Sequence, residues 1–189
     1  MEQIINPFPL YCLPSVGFIS KLSAMPNAEI LLGERFEKQT YRSRFEIAGP
    51  QGRQLLSIPL VHKSTHASNA EVQLDYSQNW NVKHWRSIET AYRRAPFFEF
   101  YAHYFEPLFT KKYFLLAELN LEAIQTILKI AKLKISIELN NEYRETLKPL
   151  NFKLSSNYNQ VFVEKNGFLP NLSILDLIFN EGPLSKDYI

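Results

Sequence analysis

The chain has 189 residues, of which 46% are hydrophobic and 14% aromatic, with a formal net charge of +2 at pH 7 and one cysteine. This length and apolar content predict a packed core in a single domain spanning 1–189 and exclude a disordered chain, while so small a charge argues against nucleic acid as a partner. The lone Cys12 excludes an internal disulfide framework and a cysteine-rich metal site, and fits a reducing cytoplasm with Cys12 as a small buried filler.

In chain order, the start MEQIINPFPL lacks the basic and apolar regions of a secretory signal. It predicts a strand near Glu2 to Ile5, then a proline-rich turn and a helix from about Pro14 to Met25. Ala28 to Leu32 is a compact apolar strand. Strand, helix and strand in that order predict a parallel crossover, with the loop before Pro14 at the carboxyl end of the first strand, where open sheets bind ligands.

The stretch KQTYRSRFEIAGPQGRQLLSIPLVHK then reads as a hairpin turning at Gly49-Pro50-Gln51-Gly52, with proline and glycine where a type I turn takes them. Counting outward pairs Phe45 with Leu56, Ser43 with Ile58 and Tyr41 with Leu60, which gives both strands an apolar face at once. The other face carries Arg42, Arg44 and Glu46, with Lys38 opposite Lys63. Like charges so placed repel, so the expectation is a contiguous cationic patch for a phosphate or carboxylate, which arginine forks fit well.

Glu71 to Asp75 alternates as a further strand, and from Asn79 the period becomes helical, with Trp85, Ile88 and Tyr92 on one face and Lys83, Arg86, Glu89 and Arg93 on another. Pro96 opens a second helix through about Phe105, whose aromatic residues read mainly as core. Asn120 caps a third helix running to Leu133, Lys134 to Leu139 is a strand, and Asn140 to Asn159 is polar and irregular. Gln160 to Val163 reads as a short strand, and LSILDLIFN as a final helix stopped by Gly182-Pro183. No apolar run approaches the roughly 20 residues of a membrane span. The fold class expected is α/β or α+β, a mixed β-sheet with a β-hairpin, flanked by helices.

Three residues are candidates for proton chemistry. His84 sits on the flank between the two faces of its helix, His62 adjoins Lys63, and Glu34 ends a strand where a carboxylate can project into a crevice. His62 and His66 lie in a polar loop without carboxylate or cysteine at ligand spacing, so no metal is expected. With six glycines and no phosphate-cradling loop, no cofactor is expected either. Asp176, inside an almost wholly apolar helix, is expected to be enclosed and paired with an arginine of the hairpin or of the Arg86 to Arg94 helix.

Taken together, LPSVGF, KQTYRSRFEIAGPQG, LLSIPLVHK, WNVKHWRSIETAYRRAPFFEFY and FLPNLSILDLIFNEGP resemble the WbqC-like family of bacteria over almost the whole chain. The resemblance implies a cytoplasmic protein of O-antigen (lipopolysaccharide) and other surface-polysaccharide assembly. Its pattern falls on Pro14, Gly17, Lys38, Arg42, Arg44, His62, Lys63, Trp80, His84, Tyr92, Pro96, Asn171 and Asp176. The chain departs from it at Gly33-Glu34, where many relatives have paired aspartates. The expected activity is group transfer, such as acylation, on a nucleotide-activated or lipid-linked amino sugar, a small anionic substrate. Lys38, Arg42, Arg44 and Lys63, with Tyr92, would bind it, His84, His62 or Glu34 would serve catalysis, and Pro14, Gly17, Asn171 and Asp176 would be structural. The alternatives are a non-catalytic module docking a partner or glycan precursor, and a protein transferring an aminoacyl group from a tRNA end. The sequence carries no sign of a particular oligomeric state.

Overall fold

A computed structural model describes residues 7–63, 67–143, 145–146 and 157–189; the strand expected near Glu2 to Ile5, and His66, lie outside them. The first described strand, β1 (Pro7–Pro9), leads into α1 (Val16–Ser23) and then β2 (Asn27–Leu31), and β1 and β2 pair in parallel. The strand–helix–strand order and the parallel pairing are those the sequence predicts, but the first strand of the pair, Pro7–Pro9, falls where a proline-rich turn was expected. Ser15 starts α1 by accepting the Phe18 amide at 3.3 Å, and Val16, Phe18, Ile19 and Leu22 are buried.

β5 (Ser136–Asn140) returns from the far end of the described sequence to pair in parallel with the other edge of β2, giving the order β1-β2-β5. The central place falls to β2 because its Ala28, Ile30 and Leu31 are all buried. Just past it, Gly33 lies under the backbone leaving β5. A Cβ there would stand 2.1 Å from the Glu142 carbonyl oxygen, so this approach needs glycine.

The hairpin β3 (Arg44–Gly49) and β4 (Gly52–Ser57) has the predicted register at Phe45 with Leu56 and at Gly49 with Gly52. It continues for one further bond, from the Ile58 amide to the Ser43 carbonyl at 2.9 Å, and then ends. Tyr41 does not meet Leu60: its carbonyl accepts the Cys12 amide at 2.9 Å, and Leu60 bridges to Leu74. Parallel and antiparallel pairings are thus divided between two sheets within an α/β fold.

Around them pack α2 (Trp80–Tyr92), α3 (Phe98–Phe105), α4 (Pro107–Thr110), α5 (Leu116–Ile130), α6 (Val163–Asn166) and α7 (Ile174–Glu181). Three sequence expectations are corrected. Where a strand was expected over residues 71–75, a short 3-10 turn (Asn69–Glu71) is followed by single bridges, Gln73 with Leu115 and Leu74 with Leu60. The Gln160 side chain bonds both to the Leu169 carbonyl, at 3.0 Å, and to the Leu169 amide, at 2.8 Å, closing a loop where a strand was expected. Asn120 is an interior residue of α5, not its cap; Glu118 caps instead, accepting the Phe114 and Leu115 amides at 3.1 and 3.0 Å. The buried Asn120 amide donates to the Arg42 carbonyl at 2.9 Å.

α7 is the hub of the core. All eight of its residues are buried, and it touches α1, α3 and β3. Ser173 precedes it, donating to the Leu13 carbonyl at 2.9 Å and accepting the Leu175 amide at 3.4 Å, and Asn171, in left-handed backbone at φ 59°, accepts the Gly17 amide at 3.0 Å. The Pro14 carbonyl accepts the Ile174 amide at 2.9 Å. Pro14, Gly17 and Asn171 therefore meet at one junction between the first helix and the last.

Candidate functional site

Residues 41 and 42 form a turn before β3 begins, and this redirects Arg42. Instead of standing beside Arg44 on the hairpin's outer face, as the alternation predicts, Arg42 is 1% exposed and points inward. Its Nε donates to Glu34 Oε2 at 3.2 Å, its Nη2 to Glu34 Oε1, and its Nη1 to Thr40 Oγ1 at 3.3 Å, and the guanidinium lies over the Tyr11 ring at 5.7 Å. Glu34 is wholly buried and also accepts from Asn69 Nδ2 at 2.9 Å. The expectation that Glu34 projects into a crevice is corrected by the same contacts: its carboxylate is enclosed and paired with the Arg42 guanidinium, which offsets the cost of burying either charge. The pair forms one two-pronged bond inside the protein.

The remaining cations stay outside and partly together. Lys38, Arg44 and His62 line one cavity of about 260 Å³ with Ser43 and Ser57, and among the described residues no carboxylate contributes to its lining. Lys38 has no ion pair among the described residues, and Arg44 gives one bond, from Nη1 to the Gln39 carbonyl at 3.4 Å. Lys63 is exposed next to His62 and lies outside that lining. Glu46, on the same strand face, is engaged by Arg53 at 2.8 Å, so it does not neutralise Arg44.

His84 is placed elsewhere. Rather than standing on a flank, it is buried against Trp80 and Phe45, with ring centroids 5.2 and 6.0 Å away. Burial lowers its pKa to about 4, and its Nδ1 has no hydrogen-bond partner among the described residues, so the ring is neutral near pH 7. The helical period missed this because α2 packs on both β3 and α4, which widens its buried face. Tyr92 is likewise fully buried; its hydroxyl accepts the Ala48 amide at 3.0 Å, and burial together with Asp176 pushes its pKa well up.

Asp176 is 0% exposed, as its apolar neighbours predict, but its partners are neutral. Its Oδ2 accepts from the Tyr158 hydroxyl and from Gln160 Nε2, both at 2.7 Å, in place of the expected arginine. Among the described residues Oδ1 has no donor in full hydrogen-bond geometry, although the nearby Tyr92 hydroxyl, which accepts the Ala48 amide, still has its own proton to offer and pulls the carboxyl pKa down. Desolvation therefore wins over these bonds and raises the carboxyl pKa to about 6. Hydroxyl and amide donors that sit 16 and 18 residues before Asp176 carry no periodic signal in the sequence.

A larger cavity, of about 690 Å³, opens at the other end of the hairpin, between Pro50 of the turn, the end of α2 at Thr90 to Pro96, the segment 159–162 and Asn180 of α7. Helical periodicity puts Arg93 on a solvated face and carries no sign of this groove.

Among the described residues, no group of three or more histidine, cysteine, aspartate or glutamate side chains could hold a metal ion, and no helix is long and apolar enough to cross a membrane. Compared with known proteins, residues 9–149, well over half the chain, match the model of the WbqC-like protein family. The match takes in the hairpin, α2 and the junction at Pro14 and Gly17, and stops short of α6 and α7. No curated protein and no solved structure matches the chain.

Proposed function

The chain belongs to the WbqC-like protein family, and on that basis we propose that it is a cytoplasmic group-transfer enzyme of bacterial surface-polysaccharide assembly. Its substrate is an amino sugar activated by a phosphate-bearing group. The observation that carries this reading is the cavity shared by Lys38, Arg44 and His62, in which two cations face a histidine with no carboxylate among the described residues of the lining. Lysine supplies a point charge and arginine a planar fork, a combination suited to phosphate oxygens. Ser43 and Ser57 add hydroxyls for the sugar. In the acyl-transfer form of this reading, the sugar's amine attacks the carbonyl of an activated acyl donor, the bond from that carbonyl to the donor's leaving group breaks, and His62 takes the proton of the amine. Arg42 and Glu34 have a positioning role here. Their buried pair holds the turn that precedes Arg44, and Thr40, bonded to Arg42, ties residues 37–40 to it.

Calorimetry with a panel of nucleotide-activated amino sugars tests this. The expected result is binding that Lys38→Ala or Arg44→Ala weakens at least tenfold, while His62→Gln retains binding and abolishes turnover of the sugar that binds. An absence of binding by the wild-type protein across the panel would leave the cationic end as a docking surface and overturn the enzymatic reading.

A further inference from the structure

The groove at the turn end of the hairpin is built by three elements fixed to one another. Pro96 stops α2 two residues after Arg94, and the Phe97 amide then bonds to the Phe179 carbonyl at 3.0 Å, which holds the end of α2 against α7. This close approach is protected by Gly182, where a Cβ would fall 2.4 Å from the Phe97 ring. On the opposite side, Asn166 Nδ2 donates to the Gly49 carbonyl at 3.0 Å, tying the segment after residue 160 to the hairpin turn. The floor is equally fixed, since Gln160 and Asn180 line the groove and both donate to Asp176, to its carboxylate and its backbone carbonyl, each at 2.7 Å.

Two adjacent arginines line this frame. Arg93 and Arg94 both line the groove, both are exposed, and neither has an ion pair among the described residues. A cation at a helix carboxyl end is favoured by the helix dipole, which explains the presence of basic residues there but not two adjacent arginines lining one concavity in which no described residue is a carboxylate. Two forks so placed match phosphate oxygens. At about 690 Å³ the space lies in the range of sites for drug-sized ligands and is far larger than a bare phosphate needs. The rest of the lining suits the remainder of such a ligand: the half-buried Phe162 gives an aromatic wall, and the side-chain amides of Asn159 and Asn180 give hydrogen-bonding groups for a sugar or a base.

We infer that this groove is a binding site for a nucleoside diphosphate, with Arg93 and Arg94 on the phosphates and the nucleoside against Phe162. It is separate from the Lys38–Arg44 cavity. A six-residue strand spans about 17 Å between the two ends of the hairpin, and of the lining residues only those of the turn end come from α2 and α7. It also depends on residues beyond the family match, since Asn159, Phe162 and Asn180 all follow residue 149.

Titration calorimetry of the full chain with uridine diphosphate, adenosine diphosphate and pyrophosphate tests the inference. Binding of at least one of the two nucleotides is expected, tighter than that of pyrophosphate, with Arg93→Gln and Arg94→Gln each weakening it about tenfold and Phe162→Ala removing the advantage over pyrophosphate. Thermal melts of the variants should match wild type, because both arginines are exposed. Arg44→Gln separates the two sites: it should leave nucleoside diphosphate affinity at the groove unchanged. Equal affinity in wild type and the Arg93→Gln, Arg94→Gln double variant, loss with Arg44→Gln alone, or pyrophosphate binding as tightly as both nucleotides would overturn the inference.

Discussion

The two ends of the β3–β4 hairpin have the same ingredients, cations at the surface and a carboxylate buried behind them, and dispose of them in opposite ways. At the open end Glu34 is neutralised by Arg42, so one of the arginines expected at the surface is withdrawn into the interior. At the turn end Asp176 is satisfied, incompletely, by Tyr158 and Gln160, and both Arg93 and Arg94 remain outside. The number of cations available to a ligand is thus set by what the nearest buried acid takes as its partner. Electrostatically, the ion pair makes Glu34 an all-or-none element of the fold, whereas neutral donors leave Asp176 in a balance that pH can tip.

The contrast can be broken most severely at the ion pair. Glu34→Leu strands a buried guanidinium and should cost about 3–5 kcal/mol in urea unfolding, and adding Arg42→Met to it should recover most of that loss. A single-variant cost below about 1 kcal/mol would mean that Arg42 finds solvent, and the two ends would then be alike.

At the other end the test is pH. Asp176 has its folded pKa raised from 3.8 to about 6, so its contribution favours folding fully below the unfolded value and is lost as pH rises through about 6. A difference of that size between the folded and unfolded pKa corresponds to about 3 kcal/mol. His84, lowered from 6.5 to about 4, works in the opposite sense: its contribution is present above 6.5 and lost as pH falls through about 4. The two oppose one another in wild type, and Asp176→Asn separates them. Relative to wild type, that variant should gain about 2–3 kcal/mol in unfolding free energy between pH 4 and pH 7; parallel profiles would show the carboxyl to be unperturbed.

A smaller effect is expected of Tyr158→Phe, which removes one of the two well-formed bonds to the carboxylate. Near pH 7 it should cost about 1–3 kcal/mol, with less lost at pH 4, where the acid is protonated. A cost below about 0.5 kcal/mol at both pH values would assign Tyr158 to packing against Phe168 and Tyr188 alone.

The smallest effect separates the two ends most cleanly. Arg93→Gln and Arg94→Gln should each stay within about 0.5 kcal/mol of wild type, as surface substitutions do, whereas Arg42→Gln should be strongly destabilising. Chemical denaturation of the three side by side distinguishes arginines held for the fold from arginines left for a ligand.

Elements with local causes were legible in the chain alone. The Gly-Pro-Gln-Gly turn and its strand alternation placed Phe45 opposite Leu56, the strand–helix–strand order produced the parallel crossover, and the apolar run around Asp176 required its burial. The register expected to set Lys38 opposite Lys63 ends at Ser43 and Ile58, so Lys38 and His62 reach the cavity they line with Arg44 through the segments beyond the hairpin and not by strand pairing. The rest arose only in the assembled fold: that Arg42 turns inward to Glu34, that Asn120 holds its carbonyl from 78 residues away, that Asp176 is served by Tyr158 and Gln160, and that the end of α2 meets residues 159–162 to make a groove. The reason is that a buried charge selects its partner by distance and desolvation in the assembled core. Turn chemistry and periodicity report which side of an element is apolar, and they are silent on which distant donor arrives there.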